Sequence, residues 1–227
     1  MTGQAVGEIL AFGVGVALSP LAIVAVVVML VAPRGTGPAS AFAAGWVTSL
    51  AVVTTVVLLV ADEAEAADGD GPATWVSVLK IVVAALLVVV GLRKWGRRTP
   101  EPDEEAGTPG WLRRLDGITV AKAAGLGALF NVAKPKNLLL AVAAGLAIAQ
   151  VGPTPSAGAV AVATFVVLGS AGIAAPLVIH AAMPRRGRDV LVGLRDWMVR
   201  ENTTIIAVLA LVIAAKLLGD AVVSLAS

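Results

Sequence analysis

Six long apolar runs decide what this chain can become. They fall at roughly Val6–Ala32, Ala39–Ala61, Thr74–Trp95, Thr119–Gln150, Ser156–Met183 and Thr203–Leu225. At about 1.5 Å per residue, each run can cross a bilayer as a helix. Composition agrees. Apolar residues make up 58% of the 227 positions and the mean hydropathy is +0.92, whereas soluble domains hold about 45–50% apolar residues. The expected fold class is an all-α membrane protein with six transmembrane helices.

Charge orients the six spans. Every Lys and Arg in a connection lies in an odd-numbered loop: Arg34 in the first, Arg93 to Arg114 in the third, Arg185 to Arg200 in the fifth. The second loop is acidic, with Asp62, Glu63, Glu65, Asp68 and Asp70, and lacks the ligand spacing of a calcium-binding EF-hand. The fourth has no charge at all. Basic loops stay inside, so the odd loops are expected in the cytoplasm and both termini outside. The first residues lack a basic n-region, so the N-terminus reads as mature and enters the membrane directly.

Two spans carry breaks. Span one has Ser19-Pro20 near its middle. Span four has Asn131-Val-Ala-Lys134-Pro135-Lys136-Asn137. Proline donates no N–H, so Pro20 frees the carbonyl of Val16 and Pro135 that of Asn131. It also pushes the preceding residue away from helical angles. A lysine at mid-bilayer depth costs about 2.5–3.5 kcal/mol on insertion scales. Loosened backbone there is tolerated only where protein or a water-filled cavity surrounds it. Ser19, Pro20, Asn131, Lys134, Pro135, Lys136 and Asn137 are therefore the expected substrate-binding set. The bland alternative is a kinked helix whose lysines snorkel or pair.

Matched breaks also suggest two halves. Residues 1–95 form a first three-span unit, 96–117 a polar cytoplasmic linker, and 118–227 a second three-span unit that includes an amphipathic cytoplasmic segment at 185–200. Three spans per half place the halves in opposite orientations, as a 3+3 inverted repeat with broken helices 1 and 4.

Other polar residues have a structural and a functional reading side by side. Glu8 in span one is an interfacial or paired carboxylate, or a proton site. Lys216 and Asp220, four apart in span six, form a structural pair or take part in coupling or gating. Thr48, Ser49, Thr54 and Thr55 bond to backbone or a neighbouring helix, or line a pore. Gly3, Gly7, Ala11 and Gly15 form a small-residue stripe suited to close packing. Gly169, Ser170, Gly172 and Pro176 predict a kinked or closely packed fifth span. Val190, Leu191, Leu194, Trp197 and Met198 share one helical face and predict a helix on the cytoplasmic surface.

Several classes are disfavoured. A net charge of +2 does not suit nucleic acid. There is no Cys and the one His is His180, so no disulfide, thiolate chemistry or Cys/His zinc site is expected. No HExxH, nucleotide-binding glycine loop or joined Ser/His/Asp set is present. The chain is expected not to be an enzyme and to need no cofactor or metal.

Ala17-Leu-Ser-Pro20, Gly91-Leu-Arg-Lys-Trp95, Ala133-Lys-Pro-Lys-Asn-Leu138 and Ala214-Ala-Lys-Leu-Leu-Gly-Asp220 stand in spans one, three, four and six. With these motifs the chain resembles the LysE superfamily of six-helix exporters, and within it the actinobacterial GAP/Sap family of glycopeptidolipid- and sulfolipid-addressing proteins. Relatives commonly show Asn-Pro-Lys in span four, where this chain has Lys134 before Pro135. The superfamily's amino-acid exporters usually have Gly beside the first-span proline, where this chain has Ser19. The resemblance implies a LysE-like fold, residence in the plasma membrane and export of a polar-headed envelope lipid or glycolipid. Lys134 and Lys136 suit an anionic headgroup. Expected partners are membrane lipids, the lipid substrate, a larger lipid-export machinery and a second copy of the chain in a homo-oligomer. The alternatives are an exporter of a small solute such as an amino acid, and a non-transporting scaffold for a larger exporter.

Overall fold

The computed structural model describes residues 3–33, 35–68, 117–150, 154–183 and 186–198, with isolated positions at 85–86, 89, 115, 200–201, 204, 207–208 and 211–212. The linker 96–117, spans three and six, and with them Lys216 and Asp220, lie outside the described residues apart from those positions.

Where the sequence has one apolar run with a proline inside, the structure has two helices. Span one is α1 (Gly3–Ala17) and α2 (Pro20–Val31), and span four is α4 (Val120–Val132) and α5 (Pro135–Ala149). The first pair is bent by 50° and the second by 71°. In each pair the proline takes the first turn of the second helix, where its missing N–H disrupts nothing. The residue before it is non-helical in both: Ser19 at φ −110°, ψ 84° and Lys134 at φ −96°, ψ 111°.

Spans two and five are unbroken. They are α3 (Thr36–Asp68) and α6 (Pro155–Ala182). Each contains a 28-residue stretch long and apolar enough to cross a membrane. Pro176 sits inside α6 without dividing it. Gly117, at φ +78°, turns the chain into α4 through a left-handed conformation that only glycine adopts freely. Thr119 and Thr154 then cap α4 and α6 by accepting the amides of Lys122 and Ala157.

Close contacts fix the relative directions of the spans. Gly37 lies beside Val120, and Phe42 beside Gly127. Trp46 is bonded to Asn131. So α3 and α4 run the same way. Gly13 abuts Leu168 and Ala17 abuts Gly172, so α1 and α6 also run together. By contrast Leu50 meets Gly169, while Asp62 lines the same cavity as Thr154. Hence α3 and α6 are antiparallel, and α1 runs opposite to α4. The starts of α3 and α4 share one face with the end of α6, whereas Asp62 and Thr154 lie at the other.

Glycine sets how near the helices come. A Cβ on Gly45 would collide with the Ala124 carbonyl, on Gly127 with that of Phe42, and on Gly172 with that of Ala17. Backbone touches backbone at these crossings, as membrane helices do where dispersion replaces the hydrophobic effect. Trp46, Phe12, Phe42 and Phe165 fill the interior, and Phe42 meets Phe130 edge-on at 5.5 Å. Outward, α3 and α6 show large apolar side chains such as Val56, Leu59, Val160 and Val167. An apolar outer surface on helices of this length belongs in lipid, and the protein is a membrane protein.

Two expectations change. The stripe Gly3–Gly7–Ala11–Gly15 packs only toward its end: Gly7 is open, with nothing within 4 Å of where its Cβ would be, Ala11 is half-buried and Gly15 is buried. A four-residue repeat advances about 40° per step on a helix of 3.6 residues per turn, so it winds off any straight contact. Against α6, span one packs through Gly13, Val16 and Ala17. Residues 187–198 are helical as expected, but their apolar face divides. Leu191 and Met198 are buried and Leu194 is half-buried, while Val190 and Trp197 stay exposed.

Candidate functional site

The end of α1 poses a problem of accounting. The last carbonyls of a helix have no partner within it. Here Val14 is taken by the amide of Leu18 at 3.0 Å, and Ala17 by the amide of Ser19 at 3.0 Å. That leaves Gly15, whose amide donor has turned to Ala17, and Val16, whose donor would have been Pro20. Ser19 Oγ donates to the Val16 carbonyl at 2.8 Å. Lys136 Nζ, from the first turn of α5, donates to the Gly15 carbonyl at 2.6 Å. It also reaches the Leu18 carbonyl at 3.2 Å and Ser19 Oγ at 3.4 Å. The three protons of the ammonium thus meet three oxygens at the break in the other span.

Lys136 is 7% exposed. Its charge lies against the negative end of the α1 dipole. Beside it, Asn137 is 1% exposed, and its side-chain amide lies 3.0 Å from Ser19 Oγ. A hydroxyl has one proton, and the freed Val16 carbonyl is the shorter acceptor. The hydroxyl proton is therefore shared between the Val16 carbonyl and Asn137 Oδ1, with Val16 the nearer of the two acceptors. Asn137 Nδ2 has no partner among the described residues.

The remaining expected residues divide. Pro20 is buried at the start of α2, and Pro135 is exposed. Asn131 is buried but faces α3, where its Nδ2 donates to the Trp46 carbonyl at 3.0 Å and to Ser49 Oγ at 3.1 Å. Ser49 in turn donates to the Trp46 carbonyl at 3.0 Å. Asn131 therefore ties α4 to α3 and does not join Ser19. Lys134 is half-buried, with Nζ 4.1 Å from the centre of the Phe130 ring. The break thus sends the two lysines to different places, Lys136 inward and Lys134 to an aromatic face. Glu8 is buried in α1.

Sequence reasoning missed the part of Trp46 and Ser49. Ser49 was legible as a hydroxyl that bonds a neighbouring helix, but nothing in the sequence names Asn131 as its partner. Four further buried polar atoms have no partner among the described residues: Trp46 Nε1, Thr54 Oγ1, Asn131 Oδ1 and Ser170 Oγ. The junction of the breaks is therefore a closed polar contact inside the protein, made by Ser19, Lys136, Asn137 and the last carbonyls of α1. Chemically it can hold an anionic or hydrogen-bonding group if Lys136 releases the carbonyls.

Among known proteins, the model of the family described as Sap, sulfolipid-1-addressing protein, matches residues 9–223. No curated protein and no solved structure matches the chain.

Proposed function

The chain belongs to the sulfolipid-1-addressing protein family, and on that premise we propose that it moves a polar-headed, anionic envelope lipid across the plasma membrane without altering its covalent structure. The observation that carries this reading is the junction itself. Two broken spans running in opposite directions meet through Lys136, Ser19 and Asn137 in the protein interior. Interrupted helices facing each other at mid-depth are how many secondary transporters build a substrate site. An ammonium held, among the described residues, by carbonyls and a hydroxyl can trade them for a sulfate, phosphate or carboxylate, because a charged acceptor bonds it more strongly.

The architecture proposed is the LysE-like 3+3 inverted repeat, with odd loops in the cytoplasm and both termini outside. The directions of the described helices support it. Span one packs along span five, and span four along span two, which is one arrangement repeated after exchanging the halves. The expected partners remain membrane lipids, the lipid substrate and a larger export machinery.

The test is an envelope lipid profile. A strain lacking the protein is extracted first at the cell surface and then completely. The expected result is a polar, anionic lipid that falls in the surface pool and persists in the total. Wild-type protein restores it, and Lys136→Met at equal abundance does not. An unchanged surface pool in the deletion strain would refute the reading. Altered amino-acid efflux with normal lipids would favour a solute exporter. Full rescue by Lys136→Met would favour a scaffold.

A further inference from the structure

Away from the junction, α3 and α6 enclose a cavity of about 470 Å³. Its size lies within the range of about 300–1,000 Å³ typical of small-molecule sites. The two helices touch where Leu50 meets Gly169 and separate toward Asp62 and Thr154. In the gap α6 presents Gly158, Ala159 and Ala163, which are too small to fill it. The walls are otherwise apolar, from Leu58 to Val166, and the polar groups Thr55, Asp62 and Thr154 complete the lining.

The cavity is continuous with the lipid-facing surface. Leu59 lines it and is also 56% exposed, and Val160 on the same stretch of α6 is 61% exposed. Whatever fills it enters sideways from the bilayer. Its deep end is also close to the breaks: Gly169, one turn beyond Val166, packs against Val16, whose carbonyl Ser19 holds. We infer that this groove is a binding site for one alkyl chain of a lipid, entered laterally from the half of the membrane on the Asp62 side. The inference rests on the lipid-moving function proposed above and adds where an acyl tail sits while the headgroup engages the junction.

The experiment uses the full chain reconstituted in phosphatidylcholine–phosphatidylglycerol vesicles that carry a trace of phospholipid with a diazirine in mid-chain. After irradiation, adducts are mapped by peptide mass spectrometry. Label on Ala159, Ala163 and Leu58 should exceed that on Val160 and Val167 several-fold, because the latter face bulk lipid on the same helix. The double substitution Ala159→Phe and Ala163→Phe, at positions open enough to leave folding intact, should reduce groove label to the bulk level. Equal labelling of all these positions overturns the inference, as does label that survives the double substitution. So does protection of the groove by a second copy of the chain, read as crosslinked dimer. Groove failure with a normal surface-lipid profile defeats this inference alone, whereas groove labelling with no lipid phenotype defeats the transport reading.

Discussion

The two breaks use the same backbone device and differ in everything attached to it. Each has a non-helical residue before a proline that opens the next helix. At Ser19 the loose carbonyls are closed by Ser19 itself and by Lys136 from the other broken span, and most of the contact is buried. At Lys134 the side chain turns to Phe130 and the proline is exposed, while Asn131 leaves the break to hold α3. A proline thus creates an opportunity for function but does not determine it. What decides is which side chains the bent geometry brings within reach of the freed groups. The first break is an acceptor of contacts, and the second supplies them.

This asymmetry ranks substitutions. Lys136→Met should have the largest effect, since it leaves the buried Gly15 carbonyl without its donor and removes a donor from the part-buried Leu18 carbonyl. The expected loss is about 3 kcal/mol, the upper range for unsatisfied buried groups, read as a lower unfolding midpoint in detergent. A midpoint equal to wild type would mean that the carbonyls have other donors, and that the first break does not depend on the second.

Asn131→Leu comes next. It removes two interhelical bonds to α3, and such bonds in membranes range up to about 1.7 kcal/mol. Its effect should add to that of Ser19→Ala, because the two residues belong to separate contacts. Strong coupling in that double-mutant cycle would merge the two breaks into one network.

Ser19→Ala alone should lower stability by about 1 kcal/mol, through the loss of one donor to Val16. Restoration by Ser19→Thr, which keeps the hydroxyl, would assign the loss to that bond. A Thr variant as weak as the Ala variant would assign it to packing instead.

Lys134→Met should change stability least. It forfeits a cation–aromatic contact of about 0.5–1 kcal/mol at a half-buried position. If it matches Lys136→Met in the unfolding assay, the difference between the lysines disappears.

Much of this was readable in the residues. Pro20 and Pro135 announced the breaks and named Val16 as a freed carbonyl, because a missing N–H has a definite victim four residues earlier. The loop charges grouped the odd connections on one side, and the helix directions agree for the described spans. The choice between Lys134 and Lys136 was not readable. They are two apart, and the dihedral angles at Lys134 decide which one turns inward. The partner of Asn131 lies 85 residues away, and a contact so distant leaves no local pattern. Gly13 was hidden for another reason. A packing face is set by the crossing of two helices, and the sequence of one of them holds only half of that information.

The crossed pairing of spans has a consequence for how the protein is made. Synthesis delivers the N-terminal half first. At that stage α3 has no α4 to receive the glycine-lined face at Gly45, and α1 has no α6 for Gly13. The carbonyls of Gly15 and Leu18 must also wait until Lys136 emerges, 121 residues after Gly15. The first half therefore cannot complete its own interior while it is alone in the membrane. Each half supplies contacts that the other needs, and a chain stopped before span four would lack the Lys136 donor to the Gly15 carbonyl.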